Sequence, residues 1–99
     1  MDDVRFLPAA RLEYLEALDW CRSKYETLAV NFESTVEVGL RRISEAPERW
    51  SRYDEAHHIV LLDRYPYALI YRIEECGVPL IAVAQPGYWK RRLRNWNSQ

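Results

Sequence analysis

The apolar residues of this chain change their spacing at Pro47, and that change divides it into a helical half and a strand half. Upstream, Tyr14, Leu18, Cys21 and Tyr25 recur at i, i+4, i+7 and i+11, with Leu15 beside them. This is one face of an amphipathic helix from Ala9 to about Tyr25. After a link around residues 26–28, Ala29, Phe32, Val36, Leu40 and Ile43 repeat the pattern, and Pro47 closes the second helix. Gly39 interrupts it at a cost of about 1 kcal/mol relative to alanine. So short a link makes the helices antiparallel neighbours, whose apolar stripes need a common partner surface.

Beyond Pro47 the apolar residues come in short runs. Residues 59–62, 68–73 and 80–84 read as strands, and residues 50–53 as a weak strand or loop. Glu74-Glu75-Cys76-Gly77 is a hairpin turn in which Gly77 is free to take a positive φ. At the other end, Val4-Arg5-Phe6 alternates as a strand, and Pro8 opens the first helix. The order β-α-α-β-β-β predicts an α+β fold. Its parts are an N-terminal strand, a two-helix antiparallel hairpin packed on an antiparallel β-sheet meander, and a basic C-terminal tail. With 99 residues the chain forms a single domain over 1–99, because two domains would each be too small to bury a core.

The formal charge of −1 conceals an uneven distribution: residues 1–48 carry 6 basic and 10 acidic side chains, residues 49–99 carry 8 and 5. Lys24 and Lys90 are the only lysines; the other basic residues are arginines, which favour bidentate contacts to carboxylate or phosphate. An anionic partner meets the second half first. The tail concentrates this charge. If it is helical, Trp89, Leu93 and Trp96 share one face, and Trp89, Lys90, Arg91, Arg92 and Arg94 form a candidate surface for a target or nucleic acid. A solvated basic end is the alternative reading. Tyr65, Tyr67 and Tyr71 are expected to pack on a sheet face rather than to stack bases.

Several classes are disfavoured. The acidic opening Met1-Asp2-Asp3 lacks the character of a signal peptide, and no apolar run approaches the roughly 20 residues of a membrane span. A soluble, cytoplasmic protein without membrane contact is expected. Cys21 and Cys76 have no CxxC spacing and read as reduced thiols, Cys21 in the core. Adjacent His57 and His58 in extended backbone point to opposite faces, so no metal is expected between them; solvated loop or strand-edge histidines are predicted. No nucleotide-binding or zinc-protease motif is present, and no cofactor is expected.

One ordered set of segments covers almost the whole chain. It comprises residues 4–10, Glu16-Ala17-Leu18-Asp19-Trp20, residues 43–47, Arg64 through Arg72, Ile81-Ala82-Val83-Ala84 and Tyr88-Trp89. This set resembles the RelE/ParE superfamily of bacterial type II toxins. The resemblance implies the toxin of a toxin–antitoxin, or plasmid stabilisation, module, whose growth inhibition is neutralised by a cognate antitoxin wrapping the helical hairpin and sheet. It also implies a homodimer, or a heterotetramer with the antitoxin. Two targets follow: DNA gyrase, inhibited by binding alone in the ParE-like branch, or mRNA at the ribosome, cleaved in the RelE-like branch. Cleavage requires cations on the scissile phosphate and groups that move protons. Arg64, Arg72, Tyr88 and Arg91 are the candidate catalytic set, with Lys90 beside them. Surface ion pairs with Asp63, Glu74 or Glu75 are the alternative for the first two. In one departure, family members place a His and one or more Arg before the Tyr-Trp pair, where this chain has only Gln85-Pro86-Gly87. The incomplete complement favours the ParE-like reading. It also admits an inactive toxin-fold domain that retains its antitoxin surface.

Overall fold

Pro8 sits in the first turn of a helix whose N-terminal flank, Leu7, is extended, and the computed structural model of the protein, which describes residues 4–84, builds outward from that junction. Strand β1 (Val4–Phe6) precedes it, helix α1 runs Pro8–Lys24 and helix α2 runs Glu26–Glu45. The expected three-residue link is a single residue. Tyr25 alone is extended, at φ −168° and ψ 155°; its N–H closes α1 on the Cys21 carbonyl, and its own carbonyl accepts from Leu28 as α2 begins. Pro47 terminates α2 as expected, following Ala46 as its flanking residue. The buried face of α1 is Ala10, Ala17, Leu18 and Cys21, with Tyr14 partly buried on it. Leu15 and Tyr25, placed on that stripe by the sequence, are exposed, because Leu15 is rotated about 100° from Tyr14 and Tyr25 has left the helix.

Strands β2 (His58–Leu61), β3 (Ala68–Tyr71) and β4 (Val78–Ala84) form the antiparallel meander. The sheet order is β1-β4-β3-β2, with β1 parallel to β4 and Phe6 opposite Leu80. Residues 50–53, expected as a weak strand or loop, form a loop with one bridge, Arg52 to His58. The turn is as expected: Glu74 and Gly77 exchange hydrogen bonds, and Gly77 has φ 141°.

β4 is apolar throughout because both of its faces are covered and its side-chain alternation slips once. Tyr71 pairs with Leu80 but Ile70 with Ala82, leaving Ile81 as the extra residue of a bulge. Val78, Leu80 and Val83 therefore join the core beneath the helices, whereas Ile70, Ile81, Ala82 and Ala84 form a second cluster with Leu7, Tyr53 and Ile59. The strand starts at Val78, two residues earlier than expected, so Pro79 lies inside it and contributes its carbonyl as acceptor for the Arg72 N–H. Since β1 has only three residues, the Val83 N–H lies beyond its reach, and Glu13 of α1 accepts that donor at 3.2 Å.

The main core centres on Phe32. Its ring stacks on Tyr14 at 5.9 Å and meets Tyr65 and Tyr67 edge-on at 5.1 and 5.7 Å. Of the three tyrosines expected on a sheet face, Tyr65 and Tyr67 pack on Phe32 from the loop before β3, and Tyr71, in the sheet, is fully buried with its hydroxyl donating to the Pro47 carbonyl. Burial pushes the Tyr71 phenol up to about 12. Cys21 is a buried free thiol and Cys76 an exposed one.

Candidate functional site

The two arginines that the sequence placed in one catalytic set are held at opposite ends of the β2–β3 hairpin. Arg64 is in its connecting loop and Arg72 just past the end of β3. Between Ala68 and Arg72 alone lie about 13 Å of strand. Each makes an ion pair of the kind expected as the alternative: Arg64 with Asp63 at 3.9 Å, Arg72 with Glu74 at 3.1 Å. Tyr88, Trp89, Lys90, Arg91, Arg92 and Arg94, together with the Gln85-Pro86-Gly87 link, lie outside the described residues.

Arg64 occupies backbone that L-residues rarely adopt. Its φ is 69°, the left-handed region that costs a side chain with a Cβ roughly 1–2 kcal/mol. Around it the loop is pinned from beneath: the Tyr65 hydroxyl donates to the Leu28 carbonyl, Tyr65 and Tyr67 rest on Phe32, and the Leu62 N–H donates to Tyr67. The guanidinium projects into solvent, with 89% of its side-chain surface exposed. The loop thus holds this cation in open solvent and not in a cleft that could enclose a substrate.

At the other end of the hairpin, Arg72 shares a shallow depression with Trp50, Arg52, His58, Glu48 and Glu55. The sequence reading missed this grouping, although arginines interleaved with tryptophan at residues 49–52 were a signal for it. Trp50 is anchored by its indole N–H to the Arg42 carbonyl and covered by the Arg49 guanidinium at 5.6 Å. The histidines lie where expected, His57 in a loop and His58 at the start of the edge strand β2, but both are buried and not solvated. His58 is buried and stacked on Tyr71 at 5.3 Å, and its pKa is lowered by burial and then by the Arg52 charge.

His57 is buried against Asp54, with its Nδ1 2.9 Å from Oδ1. Asp54 also accepts the backbone N–H groups of Ala56 and His57, both at 2.8 Å. Burial alone would raise this carboxyl, but these bonds outweigh it and hold it below its ordinary value. Its contribution to stability is therefore present above the ordinary carboxylate range and lost as pH falls through the lowered folded value. Asp54→Asn should flatten the acid limb of the stability profile below about pH 4, measured by urea unfolding from pH 2 to 7. An unchanged limb would remove Asp54 from it. No group of three His, Cys, Asp or Glu suited to a metal occurs among the described residues.

The helical hairpin leaves Leu12, Leu15, Trp20, Tyr25 and Val30 exposed, with Lys24 stacked over Trp20 at 5.4 Å. Between α2 and the edge strand β2 runs an open groove bounded by Val38 and Leu61, with Arg42 and Asp63 on its rim. No described helix is long and apolar enough to cross a membrane.

No family model and no curated protein matches the sequence. Among solved structures, the chain is similar to one described as the chromosomal ParDE TA system from P. aeruginosa. The TM-score is 0.75 at 11% identity, over 86% of this chain and 96% of that one. At that identity the likeness is one of fold.

Proposed function

We propose that the chain is the toxin of a type II toxin–antitoxin module, ParE-like, that binds and inhibits DNA gyrase and is neutralised by a cognate antitoxin. The observation that carries this reading is the shared fold, which spans nearly all of the ParDE chain. Two features of the molecule support it. Arg64 and Arg72 stand too far apart to clamp one phosphate, which favours action by binding over cleavage at the ribosome. The exposed Leu12, Leu15, Trp20 and Tyr25 offer an apolar strip to an antitoxin segment.

The direct test adds purified protein at micromolar concentration to gyrase and relaxed plasmid. Inhibition of supercoiling is expected; full supercoiling overturns the proposal. Arg64→Gly separates fold from target contact in the same assay. Glycine accepts the left-handed backbone, so unfolding should require about 0.5–1 kcal/mol more, while inhibition of gyrase should weaken. A variant both more stable and equally inhibitory would show that Arg64 contacts nothing.

A further inference from the structure

We propose that the outer edge of β2, with the α2 face beside it, pairs with the same edge of a second copy of this chain, joining the two sheets about a two-fold axis at Leu61. The two edges of the sheet are finished differently. β1 is only three residues long, and Glu13 takes the Val83 donor that β4 presents beyond it. A short, covered edge of this kind resists strand addition. β2 is covered over its first half alone. There Ser51 accepts the Ile59 N–H, and the His57 carbonyl accepts from Tyr53 and Asp54.

Hydrogen-bonding direction alternates along a strand. The Ile59 N–H points outward to Ser51 and the Leu62 N–H inward to Tyr67, so Leu61 turns both its N–H and its carbonyl outward. Neither has a partner among the described residues. The Leu61 side chain is 69% exposed, more than any other large hydrophobic residue described. β2 holds no lysine, proline or acidic residue to keep a second strand away.

The two-fold axis supplies what this edge lacks. With Leu61 opposite its counterpart, the two residues exchange a pair of backbone hydrogen bonds and their side chains cover each other. Asp63 of each copy then falls opposite Ile59 of the other. Arg42 stands at that end of the groove, since Trp50 donates to its carbonyl and the neighbouring Ser51 accepts from Ile59. Both charged residues line the groove. Within one copy Arg42 makes no ion pair among the described residues, and the exposed Asp63 meets Arg64 only at 3.9 Å. Across the axis each Asp63 comes to the other copy's Arg42, so the surface is complementary to itself in charge. Leu12, Leu15, Trp20 and Tyr25 belong to α1 and the link, outside this face, and the inference does not depend on the gyrase reading.

Sedimentation equilibrium of the full-length chain from about 1 to 200 μM measures the association. A dimer of twice 11.8 kDa is expected. Leu61→Lys sets two like charges face to face and should weaken association about ten-fold or more. Arg42→Glu and Asp63→Arg should each weaken it, and the double variant, which exchanges the charges, should recover most of the loss. All three positions are exposed, and circular dichroism checks that the variants are folded. A chain that stays monomeric to about 200 μM overturns the proposal and leaves the edge to a strand of another protein. A dimer indifferent to Leu61→Lys, or a double charge variant without recovery, overturns it as well.

Discussion

Replacing Phe32 with alanine lowers the free energy of unfolding by about 4 kcal/mol. The ring is fully buried and contacts three tyrosines, one on α1 and two from the segment leading into β3. Truncation therefore opens a cavity whose walls are large, planar and themselves anchored. Tyr65 cannot collapse into it without releasing its hydrogen bond to Leu28. Small domains have only about 5–15 kcal/mol in total, so the variant should sit near its unfolding midpoint at modest urea concentration. Urea titration followed by tryptophan fluorescence measures the difference. A loss below about 1.5 kcal/mol would mean that the aromatic group relaxes into the space and is not the centre of the core.

Gly39→Val tests the packing of α2 with an unexpected sign. Helix propensity alone favours valine over glycine by a few tenths of a kcal/mol. The structure reverses this, because a Cβ built on Gly39 would lie 2.9 Å from Leu69 Cδ1 and 3.6 Å from Leu62 Cδ2. Leu69 is fully buried, so its side chain has little room to yield to two further methyl groups. We expect a loss of about 2–3 kcal/mol, the range of overpacked cores. Gly39→Ala should come out near neutral, its propensity gain offset by a shift of Leu69. In the Gly39→Val background, Leu69→Ala should cost less than it does alone, because it removes the clash as well as the side chain. If Gly39→Val proved stabilising, the close approach of α2 to the sheet would be refuted.

The sequence carried most of the fold and little of the site. The periodicity of residues 14–25 and 29–43 located both helices, and the apolar runs located three strands within two residues of their ends. Local pattern could not carry the bulge at Ile81, since it appears only when β4 is paired against β3. The parallel partner of β1 was likewise invisible, because three residues encode no neighbour. Gly39 read as a defect in a helix and is a point of contact, a distinction that depends on the Leu69 side chain across the interface. For the site, spacing along the chain put Arg64 and Arg72 in one list, but a strand carries its two ends apart. Their ion pairs with Asp63 and Glu74 were legible because they are local. The burial of His57 and His58 was not legible: one depends on a turn through Asp54, the other on a ring brought over from β3.

The position of β4 has a bearing on how the protein comes into being. It is the last described element made, yet it lies between β1, the first, and β3. During synthesis the helical hairpin can form early, since its contacts are local, but the surface it must cover is incomplete until residues 78–84 exist. Until then the stripe of Phe32, Val36 and Ile43 has no full sheet to rest on, and β1 has no partner. A nascent chain interrupted before Val78 is thus a pair of sticky helices, a client for chaperones or proteases. The sheet closes in one late step, so that partly made copies lack a finished surface through which to act.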